Sequence, residues 1–540
     1  MLPARAFHFA ALTAALAGGT LLAAPVRSAR PAPARGYIRA LPAESPEAAE
    51  ARHRRVAERR SGTVVMVHRG AAAFAPENTL EAYAAAMDYG ADGCEVDLRR
   101  TSDGVLVLFH DDMLDHLTNG FGEVEQITCY ELLSLRPNFV YGTAGESTRP
   151  PTFAALLTLA RQRAMLLHLD VKDRGLDAAI ARMLDEADVW DHVVAVNRET
   201  APELAAGPKL KPLAYKGPGL YDRRRDVDPE AVRAQLARPG QMVMVDDPRL
   251  AARELKRPGY RPVPLPARLR EDWPPHLSPA PEPERSASPP AHLRYRAAHT
   301  DPGSGEALRA LLRGGPGEER RQPDGSAEYR LRREQGILDR AWAAQRLAEL
   351  DWGGRRGADY RETVALLERQ VRERSLHRDW RLHGLDGAIA ARALGRMGAV
   401  EAAPTLVEAF RRVDPDLTRV VDPAFASNPL AWTDFRVKMY ILPALGRLRC
   451  DASRRFLQEY VAMPEEKARL LAPVLYEDAT KALLQQDLRG PEIEALLRSE
   501  NPAVRGTAIL ECLDHPSRVR TAALKAAASW ALDLPRAPSR

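Results

Sequence analysis

The sequence has few cysteines and few aromatic residues for its length. Only 4 of its 540 residues are cysteine, widely scattered, and aromatic residues make up 6%. Cysteines this few and this scattered exclude a disulfide framework. No block of lysine and arginine carries interleaved aromatic residues, and the formal net charge of +5 is spread along the chain. Nucleic-acid binding is therefore not predicted.

Long apolar runs are also missing beyond the N-terminal region. Residues 1–28 are predicted to be a signal peptide, because Arg5 precedes a run of apolar and small residues that continues through Ala24. Cleavage could follow Ala24 or Ser28. A membrane anchor is the alternative, but two adjacent glycines and many alanines weaken the run. We therefore expect the protein to be exported, to the periplasm or the extracellular space, with no integral membrane segment after cleavage.

Length and proline distribution predict several domains. Hydrophobic residues make up 45% of the chain, enough for packed cores, and 11 of the 43 prolines lie between residues 259 and 305. A segment so rich in proline cannot form a helix interior or a central strand, so it is predicted to be a spacer. The predicted divisions are a signal peptide (1–28), a linker ending in a short charged helix (29–61), an α/β domain (62–258), a Pro-rich linker (259–305) and a helical domain (306–540).

Residues 62–258 alternate short apolar runs with helical segments, which is typical of a parallel α/β domain. The predicted strands are 64–67, 94–98, 166–171, 193–196, 213–215 and 242–245. The clearest predicted helices between them are 79–89, 153–162 and 176–187.

Acidic and basic residues occupy one face of two of these strands. Glu95 and Asp97 project to the same side, because side chains alternate along a strand. Two buried carboxylates repel each other unless a cation lies between them. In the second strand His168, Asp170 and Lys172 share a face. We interpret this as the lining of a site, and its all-oxygen ligands favour Ca²⁺ or Mg²⁺.

Two histidines follow strands and lie near this cluster in the predicted fold. His68 ends the first strand, the position where catalytic groups of a barrel lie. The connection after Leu98 is too short for a parallel crossover, so the following strand should return antiparallel. A turn centred between Ser102 and Asp103 would place His110 opposite Glu95.

The order of these motifs resembles the glycerophosphodiester phosphodiesterase family. The motifs are His68-Arg69-Gly70, Pro76-Glu77-Asn78-Thr79, Glu95-x-Asp97, Thr101-x-Asp103-Gly104, His110-Asp111 and Asp170-x-Lys172. The resemblance implies an irregular TIM-type barrel. It also implies that His68 and His110 are the catalytic acid and base, that Arg69 and Lys172 bind the phosphate, and that Glu95, Asp97 and Asp170 bind a divalent metal. Two departures are Asp170, where the family often has Glu, and His116, where arginine is common.

The implied activity is metal-dependent hydrolysis of glycerophosphodiesters to glycerol 3-phosphate and an alcohol. The family's nucleophile is the glycerol 2-hydroxyl, which forms a cyclic phosphate that is then hydrolysed. Which histidine is the acid, and whether the metal is Ca²⁺ or Mg²⁺, stays open. One alternative is a phospholipase-D-like lipid phosphodiesterase on the same barrel, with Tyr141 or Tyr221 near an apolar groove. Another is an inactive exported scaffold that binds partners through its helical domain.

The helical domain contains a repeated motif. Ala393-Leu394-Gly395-Arg396-Met397 recurs as Ala444-Leu445-Gly446-Arg447-Leu448, with a looser echo at 504–510. This resembles HEAT repeats, whose helix pairs stack to share one core. An ordinary helical bundle is the alternative. A surface for a protein partner and a brace or lid on the barrel are both open roles for this domain.

Overall fold

The computed structural model describes ten parts of the chain. They are residues 35–138, 148–217, 226, 229–272, 305–314, 327–352, 357–375, 382–412, 429–463 and 473–514. The predicted signal peptide lies outside the described residues, as do Tyr141 and Tyr221. Among the described residues, no helix combines the length and the apolar character needed to cross a membrane. All four cysteines are described and none is in a disulfide.

The α/β domain is built on a parallel sheet. Its strands are β2 (Val64–Val67), β3 (Gly93–Arg100), β5 (Leu166–Val171), β6 (Val193–Val196) and β7 (Met242–Val245). They lie in the order β6-β5-β3-β2-β7, and β4 (Leu106–Leu108) pairs antiparallel with β3. β2 and β7 are buried along their whole length. Runs of Val and Met suit such strands, because they are covered on both faces.

Hydrogen bonds join the two edges of this sheet. The Leu213 amide donates to the Val194 carbonyl of β6 at 2.9 Å, and the Lys216 amide donates to the Met242 carbonyl of β7 at 2.7 Å. Tyr215 forms an isolated parallel bridge with Met242. The predicted strand at 213–215 is therefore a single bridge that links the edges. The TIM-type barrel is confirmed, but with fewer strands than eight in the described residues.

Helices surround the sheet. They are α1 (Pro46–Arg60), α2 (Leu80–Asp88), α3 (Cys129–Ser134), α4 (Phe153–Arg163), α5 (Asp177–Ala187), α6 (Pro202–Ala206), α7 (Pro229–Leu236) and α8 (Pro248–Glu254). α1 packs against the inner face of the sheet through Val56. Thr79 and Thr152 cap α2 and α4 by accepting hydrogen bonds from the free amides of the first turn. Thr79 thus stabilises the first turn of α2.

Parts of both predicted linkers pack against the barrel domain. β1 (Arg35–Tyr37) pairs antiparallel with β8 (Arg270–Asp272). The Arg261 amide donates to the Asp88 carbonyl at 2.9 Å. Within the predicted linkers at 29–61 and 259–305, these stretches therefore form a strand pair and contact the barrel domain. Proline is tolerated there because the segment runs along the surface, where it lacks a sheet neighbour on most of its length.

The C-terminal domain is helical, as predicted. Its described helices are α9 (Gly305–Arg313), α10 (Ala327–Leu347), α11 (Ala358–Arg372), α12 (Leu385–Met397), α13 (Ala403–Arg411), α14 (Pro429–Leu448), α15 (Asp451–Val461), α16 (Pro473–Leu484), α17 (Gly490–Leu497) and α18 (Pro502–Asp514). α10, α12, α14, α16 and α18 pack one after another, and α11, α13 and α15 form a second row. Two rows of this kind are typical of helical repeats. Assignment to HEAT repeats stays a prediction.

The repeated glycine has a structural reason. A Cβ atom on Gly395 of α12 would lie 2.6 Å from the Ala444 Cα of α14. One on Gly446 of α14 would lie 2.9 Å from the Ala482 Cα of α16. Each repeat therefore uses glycine to let the next helix in the row approach closely.

The two domains share their cores. Met113 and Phe121 belong to a barrel segment that follows β4, yet both are buried in the hydrophobic core of the helical domain. Leu513 of α18 is buried with the barrel core. The helical domain is thus packed against the barrel, next to the segment that carries His110.

Candidate active site

The carboxyl ends of the strands meet at one end of the barrel. The strand register places Glu95 of β3 beside His168 of β5, and Asp97 beside Asp170. His68 directly follows β2, and its amide donates to the Val245 carbonyl at 2.9 Å. The residues predicted to form the site therefore come together at the end where barrel enzymes carry their chemistry.

Three carboxylates form the centre of this site, the carboxylate cluster of Glu95, Asp97 and Asp170. Each offers an oxygen, and these oxygens all lie within 4.8 Å of one another. Two oxygens that bind the same Ca²⁺ at about 2.3–2.6 Å can be at most about 5 Å apart. Asp97 Oδ1 is buried, and Lys172 Nζ lies 2.9 Å from it. A set of three carboxylates with oxygens this close together fits a divalent cation.

The carboxylates are not equally ionised. Burial, and then the nearby charge of Asp97, raise the pKa of Glu95 well above its usual value. Burial opposes ionisation of Asp97 as well, but Lys172 and Arg69 outweigh it, so the pKa of Asp97 is lowered. A bound divalent cation would lower the free-energy cost of ionising Glu95, because its charge would offset the repulsion between the carboxylates.

Arg69 and Lys172 supply the positive charge that is present. Arg69 has a positive φ of 55°, its amide donates to Glu95 Oε2 at 3.0 Å and its guanidinium donates to Glu77 at 3.0 Å. Lys172 Nζ donates to Asp170 Oδ2 at 2.7 Å. Burial lowers the pKa of Lys172, but Asp97 and Asp170 outweigh it and the net shift is upward. Both side chains are therefore held as cations beside the cluster, ready to meet an anionic group.

His68 is paired with an acid from another strand. Its Nδ1 lies 2.9 Å from Asp246 Oδ1, just after β7. The backbone amides of Asp246 and Asp247 in turn donate to buried Asp226. Such an arrangement orients the imidazole, with Nε2 as the other ring nitrogen for proton transfer. The His68 side chain is 24% exposed, so it is held in place yet accessible.

His110 lies in a second histidine–acid chain. Its Nδ1 is 2.6 Å from Asp111 Oδ1, and the His116 Nδ1 is 2.9 Å from Asp111 Oδ2. Arg99 of β3 donates to the His110 carbonyl at 3.0 and 2.9 Å. Burial opposes ionisation of Asp111, but its bonds to the two histidines hold the pKa of its carboxyl well below the usual range.

The predicted position of His110 opposite Glu95 is wrong by one residue. β3 and β4 pair Leu98 with Leu108 and Arg100 with Leu106. The loop has three residues and ends at Gly104, whose φ is 81°. A three-residue loop with a left-handed glycine adds one residue compared with the two-residue turn assumed from the sequence. β4 ends at Leu108, so His110 reaches the site from the following segment.

Asn78 links the loop after β2 to the carboxylate cluster. Its Nδ2 donates to Asp97 Oδ2 at 2.6 Å, and its Oδ1 accepts from the Tyr83 hydroxyl at 2.6 Å. Like Arg69, it has a positive φ, here 55°. Arg69 and Asn78 are thus two non-glycine residues with strained backbone conformations, and both are bound to the carboxylate cluster. Such strain indicates that the loop conformation is set by the site and not by local backbone preference.

The helical domain holds the segment that carries His110. Asp115 is completely buried, and its carboxylate accepts from Arg436 of α14 at 2.5 Å and from the Tyr440 hydroxyl at 3.3 Å. Its carbonyl accepts from Arg392 of α12 at 3.0 Å. The position of His110 and Asp111 thus depends on contacts with the second domain.

Several residues of the site were not predicted as site residues. Asp246 and Asn197 each follow a strand, and Asn197 Nδ2 donates to Asp170 Oδ1 at 2.8 Å. Tyr215 donates to or accepts from His168 Nδ1 at 2.6 Å. The feature of the sequence that could have identified them is their position, as polar residues at or next to the ends of strands. Burial lowers the pKa of His168 to about 4, so this histidine is neutral at physiological pH.

Comparison with known proteins gives the same family over the same residues. Residues 68–205 match the Glycerophosphoryl diester phosphodiesterase family. Glycerophosphodiester phosphodiesterase of Caldanaerobacter subterraneus is 32% identical over 137 residues, which are 24% of this chain and 56% of that protein. Mouse glycerophosphodiester phosphodiesterase 1 is 36% identical over 118 residues, 22% of this chain and 36% of that protein. The chain thus spans about half or less of the length of these relatives.

A solved structure is also similar. The crystal structure of glycerophosphodiester phosphodiesterase from Agrobacterium tumefaciens has 21% identity and a TM-score of 0.31, covering 35% of this chain and 99% of that one. The sequence match stands on the segment that supplies His68, His110 and the carboxylate cluster. Residues 68–205 are therefore a domain of the glycerophosphoryl diester phosphodiesterase family.

Proposed function

We propose that this protein is a metal-dependent phosphodiesterase that cleaves glycerophosphodiesters to glycerol 3-phosphate and an alcohol. The observation that carries the proposal is the meeting of Glu95, Asp97 and Asp170 within 4.8 Å. Arg69 and Lys172 lie beside them. His68, bonded to Asp246, follows β2, and His110, bonded to Asp111, follows β4. The family match over residues 68–205 supports the same chemistry.

The carboxylate cluster is the proposed cation site. Oxygen ligands suit Ca²⁺ or Mg²⁺. When bound, such a cation polarises a phosphoryl oxygen and lowers the pKa of a nearby hydroxyl. Arg69 and Lys172 would offset the charge that develops on the phosphate. Asp170 has a shorter side chain than the glutamate that the family often has at this position. Asn197 Nδ2 donates a hydrogen bond to Asp170 Oδ1 and so orients the carboxylate.

His68 and His110 are the proposed acid and base. One would accept the proton of the glycerol 2-hydroxyl as that oxygen attacks phosphorus, and the other would donate a proton to the departing alcohol. The cyclic phosphate would then be opened by water with the roles reversed. Asp246 and Asp111 would each fix one tautomer, leaving Nε2 of each ring for the transfer.

The decisive experiment measures release of glycerol 3-phosphate from glycerophosphocholine by the purified protein. Activity should vanish with chelator and return with Ca²⁺ or Mg²⁺. His110→Ala should lower kcat about 10²- to 10⁴-fold, the usual contribution of a general acid or base. A matched control is His53→Ala, which removes a histidine bound to Asp188 and Asp191 rather than to the cluster. Near-full turnover by His110→Ala would contradict the catalytic role, and no turnover by wild type would favour the inactive scaffold.

Export is a further part of this proposal. Arg5 and the apolar run after it support a cleaved signal peptide. Mass spectrometry of the N-terminus of protein recovered outside the cytoplasm should give a chain that begins after Ala24 or Ser28. Recovery of the uncleaved chain only from the cytoplasm would contradict export. A protein partner for the helical domain stays a prediction.

A further inference from the structure

A pocket of about 220 Å³ lies between the two domains. We call it the interdomain pocket. Pro76, Leu117 and Pro137 line it from the barrel, and Met439 and Pro443 of α14 line it from the helical domain. Prolines and aliphatic side chains make rigid, apolar walls, which is the usual character of a small-molecule site.

This pocket adjoins the candidate active site through three of its lining residues. Glu77 lines it and accepts from Arg69 at 3.0 Å. Asn78 lines it and donates to Asp97 at 2.6 Å. His116 lines it and is joined through Asp111 to His110. Three of its wall residues are therefore bonded to Arg69, to Asp97, or to Asp111, which is bonded to His110. A substrate group that extends from the site on this side would meet the pocket.

The chemistry of the pocket disfavours a quaternary ammonium group such as choline. Recognition of that group uses open aromatic faces. Of the described lining residues, Phe109 and Tyr440 carry phenyl or phenol rings, and Phe109 is 2% exposed. The Arg392 guanidinium already lies 5.1 Å from the centre of the Tyr440 ring. Arg392 and Arg447 border the pocket together with Glu77 and Asp478, so the lining carries no net negative charge that would attract a cation.

We propose that the interdomain pocket binds an apolar chain of the substrate, so that this enzyme prefers glycerophosphodiesters with an aliphatic substituent over glycerophosphocholine. This rests on the proposed function and names the substrate class of the same site. The chain belongs either to the leaving alcohol, as in a glycerophosphoalkanol, or to an acylated glycerol, as in a lysophospholipid. In both cases the helical domain supplies one wall of the specificity site.

The experiment compares kcat/KM for glycerophosphocholine with that for glycerophosphoethanol, -butanol and -hexanol. The value should rise about fourfold for each methylene that enters the pocket, and then level off when the pocket is full. Lysophosphatidylcholine forms a second arm, with release of choline as its readout. Fast cleavage of the alkanols assigns the chain to the leaving alcohol, and fast cleavage of the lysophospholipid assigns it to the glycerol.

Variants tie the preference to this pocket. Met439→Gln should lower the ratio of the hexanol to the choline kcat/KM at least tenfold, and Leu117→Gln provides the same test from the barrel side if the first variant does not fold. Met463→Gln is the matched control, since Met463 is also half-buried in the helical domain but does not line the pocket, and it should leave the ratio unchanged. Equal kcat/KM for all substrates, or an unchanged ratio in folded Met439→Gln and Leu117→Gln, would overturn this inference alone. No hydrolysis of any substrate would overturn the proposed function and this inference with it.

Discussion

His68 Nδ1 lies 2.9 Å from Asp246 Oδ1, and these two residues follow neighbouring parallel strands of the barrel. β2 and β7 are in register, with Val67 beside Val245. His68 and Asp246, which directly follow these two residues, therefore also lie side by side. The pairing is therefore a direct result of sheet register. Because Asp246 accepts from Nδ1, it fixes the ring tautomer.

Removing the acid while keeping its shape tests this pair. Asp246→Asn should lower kcat about tenfold or more, since the amide no longer stabilises the protonated imidazole or selects its tautomer. The acidic or basic limb of the pH–kcat profile should also shift, which a purely structural role would not cause. The control is Asp188→Asn, which alters another acid–histidine pair away from the site. An unchanged kcat and pH profile would show that Asp246 does not act through His68.

Cation binding should be visible without turnover. A cation present at about 100 times its Kd raises the free energy of unfolding by about 2.7 kcal/mol. We expect thermal denaturation of wild type to move to higher temperature with Ca²⁺ or Mg²⁺, and to return with chelator. Asp170→Asn should lose most of this shift, because it removes one charged ligand of the cluster. Asp185→Asn, at an exposed acid that binds Lys209, should retain it. Equal shifts in both variants would place the cation elsewhere.

Sequence patterns predicted the barrel strands closely because their signal is local. Val64–Val67 is a short apolar run, Leu166–Val171 alternates apolar with polar residues over most of its length, and both have the right length for strands. The face shared by His168 and Asp170 also follows from alternation alone. The same alternation could not give the register of β3 with β4, because one residue more in the loop ending at Gly104 changes every pair.

Long-range contacts were beyond the sequence. Asp115 and Arg436 are 321 positions apart, and no local sequence pattern around either residue predicts their contact. The partnership of His68 with Asp246 needs the order of strands around the barrel, which local patterns do not contain. The role of the helical domain as a wall beside the site therefore emerged only from the packed structure.

The His116–Asp111 pair should make stability depend on pH. Burial lowers the pKa of His116, but Asp111 outweighs it and the net shift is upward. The folded protein therefore holds this proton more tightly, so the stabilisation is complete below about pH 6.5, the ordinary histidine pKa. It is lost as pH rises through the raised folded pKa. Asp111 stays ionised well below its ordinary pKa, so the pair persists in mild acid.

His116→Gln measures this contribution. The difference in unfolding free energy between wild type and variant should be up to about 1 kcal/mol at pH 5.5, because the His116 side chain is 41% exposed and solvent screens the pair. It should approach zero near pH 9. Urea denaturation at both pH values gives the comparison. A larger difference at pH 9 than at pH 5.5 would contradict the direction of the pKa shift.

The contact between Asp115 and Arg436 should dominate the stability of the domain interface. Asp115→Ala should cost about 3–5 kcal/mol, because it leaves a guanidinium without its buried partner. Turnover should fall too, since the same segment carries His110. The double variant Asp115→Leu/Arg436→Met should recover part of the stability, because no unpaired charge is left. Glu50→Ala, in an exposed pair with Arg54, is the control and should cost less than about 0.5 kcal/mol. Equal losses of unfolding free energy for Asp115→Ala and Glu50→Ala would show that the Asp115–Arg436 ion pair does not stabilise the domain interface.

Close approach at Gly395 should make the repeat intolerant of even a methyl group. Alanine is the better helix former by about 1 kcal/mol, yet its Cβ would lie 2.6 Å from the Ala444 Cα and 2.8 Å from the Ala444 Cβ. Overpacking of this kind costs about 1–3 kcal/mol. Gly395→Ala should therefore lower the free energy of unfolding by about 1 kcal/mol net. Gly490→Ala meets no atom within 4 Å and should be neutral or stabilising. Urea denaturation of both variants decides the matter, and a stabilised Gly395→Ala would show that α12 and α14 are not held together by this contact.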